Sequence, residues 1–142
     1  VERRRARKAA LEVLYEMEIT SETVDQALEA RERSGKKPLD EFALSVLAGV
    51  EMYGDQIDRT ISEYADNWSL ERMPIIDRNI LRMCLYEMIY ESEIPFSVSI
   101  NEAVELAKTY GTEESSKFVN GVLGKIASDL QSGLRKVEEM GR

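Results

Sequence analysis

Apolar residues recur along the chain at helical spacing and leave little room for strands. Residues 2–18 place Ala6, Ala10, Val13, Leu14 and Met17 on one stripe, the mark of an amphipathic helix. A shorter helix is predicted over 22–33, opened by Ser21-Glu22-Thr23-Val24, and Ser34-Gly35-Lys36-Lys37-Pro38 reads as a loop. From Leu39 to about Asp66, the residues Val46, Val50, Tyr53, Ile57, Ile61 and Tyr64 form a helical seam, with Gly54 a kink or break in it. Residues 69–73 make a turn before Pro74, which suits the first turn of the next helix. That helix, to about Glu91, is apolar on nearly every side, so it is predicted at the centre of the packing. Ser99-Ile100-Asn101-Glu102 reads as a capping box for a helix ending near Tyr110. Gly111 suits its C-terminal end, and Thr112 caps a last helix running to about Leu130. The tail SGLRKVEEMGR either extends that helix or frays. The expectation is an all-α chain of six to seven helices forming one domain over residues 1–142.

Composition narrows the class. With 142 residues, 43% hydrophobic and 32% charged, the chain reads as soluble and globular. No apolar run approaches the ~18 residues of a membrane span, and no signal-peptide core follows the basic start. A single cysteine, Cys84, excludes an internal disulfide, and a cytoplasmic location is expected. Charge changes the picture more. The net charge is -8, yet residues 1–8 (VERRRARK) hold five cations against one carboxylate. A uniformly acidic protein repels phosphate; a basic arm on an acidic body attracts it locally and discourages it elsewhere.

The chain contains no histidine, which removes the commonest general base, the Ser-His and Cys-His pairs and most zinc sites. Cys84 lies within the apolar helix and reads as a buried structural thiol. There is no glycine-rich phosphate loop and no calcium-loop spacing of carboxylates. No enzyme is expected, with no catalytic residue, cofactor or metal.

Two faces look like binding surfaces. On the first helix, Arg4, Arg7 and Lys8 share a side with Leu11 and Tyr15 further along. That face suits phosphate at one end and a protein partner at the other, unless Leu11 and Tyr15 merely widen the core stripe. On the last helix, Phe118 falls about 95° from the axis of Val119, Val122, Leu123, Ile126 and Leu130. It is either a stacking platform for an unpaired base or a rim residue closing the core.

Several stretches together resemble the transcription antitermination factor NusB family. They are Arg3-Arg4-Arg5-Ala6-Arg7 leading into Leu14-Tyr15, and Asp77-Arg78-Asn79-Ile80-Leu81-Arg82 leading into Tyr86-Glu87. Then come Ile100-Asn101-Glu102-Ala103-Val104-Glu105-Leu106-Ala107-Lys108, Tyr110-Gly111, and Lys117-Phe118-Val119-Asn120-Gly121-Val122-Leu123. Residues 20–40 and the tail past Leu130 carry no such signature. The resemblance implies an all-α fold of two packed three-helix groups. It implies a heterodimer with NusE, a small-subunit ribosomal protein, and joint binding of single-stranded boxA RNA. That assembly acts on the RNA polymerase elongation complex to read through terminators, notably in ribosomal RNA operons. By position, Arg4, Arg5, Arg7, Tyr64, Arg82, Lys117 and Phe118 match the family's RNA side, and Tyr15 and Asp77 its NusE side. Glu114 matches a position near the RNA, but its charge argues against a phosphate contact. Arg82 has a second reading, held by a buried carboxylate. Two other functions stay open: the NusB-like domain of an RNA cytosine methyltransferase, or a helical adaptor without RNA binding.

Overall fold

The computed structural model describes residues 2–66 and 68–141, and among these it contains seven α-helices and no strand. They are α1 (Glu2–Thr20), α2 (Val24–Arg33), α3 (Glu41–Met52), α4 (Gly54–Tyr64), α5 (Ile75–Tyr90), α6 (Phe96–Tyr110) and α7 (Glu113–Ser132). Local chemistry sets most of the ends. Thr23 caps α2 in a reciprocal box with Gln26, Asp40 accepts from the Ala43 N–H at the start of α3, and Thr112 caps α7 with Ser115. Gly133, at φ +82°, ends α7 in the left-handed conformation glycine adopts without strain. The Gly54 ambiguity resolves as a break: Tyr53 leaves helical geometry and two helices follow one another.

The capping box expected at Ser99 is not there. Pro95 begins α6 a turn earlier, so Ser99 lies inside the helix, buried, and its hydroxyl donates to Glu87 at 3.0 Å. Pro95, its φ fixed by the ring, takes the N-cap position four residues before Ser99. The tail neither extends α7 nor frays. Val137–Met140 forms a short 3₁₀ turn that buries Met140, and the Tyr90 hydroxyl donates to the Gly141 carbonyl.

Helix α5 touches α1, α3, α4, α6 and α7, as its all-round apolar surface requires. Helices α1–α3 form one group, α5–α7 the other, and α4 bridges α5 and α7. One buried cluster draws side chains from all seven helices. At the rim where α3 crosses α5, Gly49 lets the Tyr86 ring come so close that a Cβ there would stand 2.0 Å from it.

Candidate nucleic-acid interface

The first two turns of α1 carry the cations. Arg3, Arg4, Arg5 and Lys8 are exposed, whereas Arg7 is 5% exposed and points inward. Its Nε and Nη2 donate to the two Glu87 oxygens at 2.9 and 2.7 Å. Burial disfavours the Arg7 charge, but the hydrogen bonds and charge of Glu87 outweigh it and hold the guanidinium protonated. The guanidinium carbons of Arg3 and Arg7 lie 4.9 and 5.2 Å from the centre of the Phe42 ring. Here Arg7, expected on the RNA side, is held inside as the anchor of the arm. Arg4 donates to both Glu102 oxygens at 3.0 and 2.7 Å while more than half of its side chain stays in solvent. Arg5 and Lys8 form no ion pair with a described residue. The expected Leu/Tyr strip divides: Leu11 is 1% exposed and belongs to the core, while Tyr15 is 41% exposed and faces out.

Two other residues expected on the RNA side are held internally. Tyr64 is buried, its hydroxyl donating to Asp129 at 2.6 Å and accepting from Arg135 at 3.3 Å. Arg82 donates to Asp58 at 2.8 and 3.1 Å and also to Glu18, which Arg78 grips as well. Burial raises the Glu18 pKa, yet the hydrogen bonds from the two arginines more than reverse it. For Arg82 the carboxylate reading is the observed one. A direct phosphate contact by Arg7, Tyr64 or Arg82 would first require breaking these pairs.

Phe118 and Asp77 meet in one cavity of about 260 Å³, beside Trp68, Thr112, Glu114 and Ser115. Phe118 is half-buried at the edge of the core and meets Trp68 edge to face, with ring centres 6.4 Å apart. Trp68 is 52% exposed. Asp77 is only 5% exposed, and its Oδ1 has no hydrogen-bond partner among the described residues. Burial pushes its pKa up, with the Ser115 hydroxyl opposing. Lys117 and Glu114 are exposed on the same helix as Phe118. The cavity and the cleft at the arm share no lining residue.

Sequence reasoning missed Trp68, Glu87 and Glu102. Trp68 stands between helices, where no periodicity marks it. Glu87 did leave a signal: a carboxylate deep in a helix apolar on nearly every side is a candidate for pairing with a buried cation. Cys84 is buried as expected, and burial holds its thiol well above the ordinary range. Among the described residues no cluster of side chains could hold a metal ion, and no helix is long and apolar enough to cross a membrane.

An all-helical body with a cationic helix end and an aromatic-rimmed acidic cavity has the make-up of a helical binding protein. The chain belongs to the NusB family, whose model matches residues 4–128. It is 47% identical over 134 residues to the transcription antitermination protein NusB of Myxococcus xanthus (strain DK1622), covering 90% of this chain and 96% of that one. It is 41% identical over 131 residues to that of Bacillus subtilis (strain 168), covering 92% and 98%. Among solved structures, T. maritima NusB superposes with a TM-score of 0.77 at 40% identity, over 89% of this chain and 91% of that one. A crystal structure of antitermination factors NusB and NusE in complex with dsRNA matches at TM-score 0.78 and 29% identity, over 89% and 96%.

Proposed function

We propose that this chain is a cytoplasmic, non-enzymatic antitermination factor acting as one helical domain. It binds single-stranded boxA RNA jointly with NusE and acts with the RNA polymerase elongation complex to promote read-through of terminators, notably in ribosomal RNA operons. The observation that carries the reading is the cavity of Phe118, Trp68 and Asp77. Two accessible rings offer a face to an unpaired base, worth roughly 1–3 kcal/mol per stacked base. Beside them the unpaired oxygen of Asp77 calls for a donor, which a partner protein's cation supplies. RNA lies along Arg4, Arg5, Lys8, Lys117 and Phe118, and NusE along Tyr15 and Asp77. Arg7 and Arg82 contribute by holding helices in place. Support comes from the family membership and from the similar chain found in a structure of NusB and NusE with dsRNA.

The test is a titration of the protein with a boxA-like single strand, the same sequence as a duplex, and a scrambled strand, each with and without NusE. Tightest binding is expected for the boxA single strand with NusE present. Equal affinity for the duplex, or no effect of NusE, would overturn the reading.

A further inference from the structure

The basic arm is less free than its sequence implies. Arg3 faces Glu93 at 3.8 Å, a long and exposed pair, and Arg7 is sealed on Glu87 inside the protein. Arg4 is different. Its two-point grip on Glu102 is well formed yet sits at the surface, with the carboxylate mostly covered and the guanidinium mostly in solvent. A phosphate presents to a guanidinium fork the same pair of oxygens that a carboxylate does. The Nε/Nη2 edge that grips Glu102 cannot hold a phosphate at the same time, while Nη1 stays open.

We propose that Glu102 is an intramolecular competitor for the Nε/Nη2 edge of Arg4, so that RNA phosphate engages that edge by exchange and gains there only the difference between phosphate and carboxylate. The proposal rests on the arm's role in RNA binding. It lowers the arm's affinity for any strand alike: Arg5 and Lys8 attract phosphate, while Arg4 adds only the difference. Glu105, one turn along α6, supplies an internal control. It lines the same shallow cleft as Arg4, Lys8 and Glu102, but Arg4 makes its hydrogen bonds to Glu102.

The experiment titrates the full chain, with NusE, with a boxA-like single strand and a scrambled strand over a range of salt. Glu102→Gln should tighten binding about two- to five-fold, the scale of an exposed ion pair. The factor should be equal for both strands, because phosphate contacts read no bases. The slope of log K on log salt should steepen by less than about one unit. In an Arg4→Ala background the gain should shrink to that of Glu105→Gln. A gain of equal size with and without Arg4 would mean simple repulsion and overturn the exchange. So would weaker binding by a Glu102→Gln protein whose melting is unchanged, since Glu102 would then be holding Arg4 in its productive pose. If Glu102→Gln melts early, Glu102→Asp keeps the charge but shortens the reach, and absence of a gain there overturns the proposal. Undiminished affinity in Arg5→Ala would remove the arm from the RNA interface altogether, a failure distinct from that of the exchange.

Discussion

Phe118 stands at the boundary between packing and recognition, its ring edge to face with Trp68 and only half buried. A wholly buried phenylalanine costs roughly 3–5 kcal/mol on truncation, a stacking platform far less in stability. Phe118→Ala is therefore expected to lose about 5–100-fold in affinity for boxA-like RNA and less than about 1.5 kcal/mol of stability. Denaturant melts and RNA titrations on one preparation check both, and a large stability loss with affinity retained would return the ring to the core. Asp77 runs the other way. Its folded pKa lies above its unfolded one because burial disfavours the charge, so the folded state holds the proton more tightly. Stability contributed by that proton is present at low pH and lost as pH rises through the folded pKa. Asp77→Asn should flatten that fall, stabilise the free protein at neutral pH by about 1 kcal/mol, and weaken NusE binding. Thermal melts across acid to neutral pH, with a NusE pull-down, test this; an Asn variant less stable at pH 7 would show the carboxylate to be satisfied already. At this scale periodicity located Phe118, because an off-axis residue on a long helix is visible in the spacing. It was silent on Trp68, which lies outside the helices, and on the partners of Arg82, which come from helices far away in the chain.

Between elements, the decisive contacts are those that lock α1 onto α5 and α6. The Arg7–Glu87–Ser99 network joins three helices in the buried interior. The apolar pattern showed α5 to be central and Glu87 to be a candidate for pairing; it did not show that the pair would come from the basic arm. The arm's five cations count alike in the sequence, whereas the fold turns one of them, Arg7, inward. Arg7→Ala is expected to cost about 3–5 kcal/mol, since it leaves Glu87 charged and buried without its cation. Chemical denaturation measures that, and a loss under about 1 kcal/mol would mean water reaches Glu87. Gly49 fixes the approach of α3 to α5 in another way. A methyl group there would overlap the Tyr86 ring, which stacks in turn on Tyr90 at 5.5 Å. Gly49→Ala should therefore destabilise by about 1–3 kcal/mol despite alanine's better helix propensity. An unchanged or raised melting temperature would show that Tyr86 swings aside freely. Nothing local in the sequence distinguishes this glycine from Gly54, Gly121 or Gly124, beside which a Cβ meets nothing within 4 Å.

For the molecule as a whole, the issue is how a chain of net charge -8 binds a polyanion. Long-range attraction is absent or reversed, so affinity must come from a few local cations and from contacts indifferent to salt. A count from sequence takes the whole arm as available. The structure buries Arg7 on Glu87, leaves Arg5 and Lys8 exposed and without an ion pair among the described residues, and shares Arg4 with Glu102. Lys117 adds an exposed cation beside Phe118. With three to four phosphate contacts on a single strand, the slope of log K against log salt should lie between about -2 and -3. Arg5→Ala should make it shallower by about 0.7, and Lys8→Ala likewise, if each neutralises one phosphate. Arg7→Ala, measured under conditions where it remains folded, should leave the slope unchanged although it lowers stability. That contrast separates an arginine that touches RNA from one that holds the arm in place. Stacking on Phe118 is insensitive to salt, so Phe118→Ala should shift the whole line down without tilting it. A tilt in Phe118→Ala, or a shallower slope in folded Arg7→Ala, would mean that the arm repositions on binding and that Arg7 leaves Glu87 for the RNA.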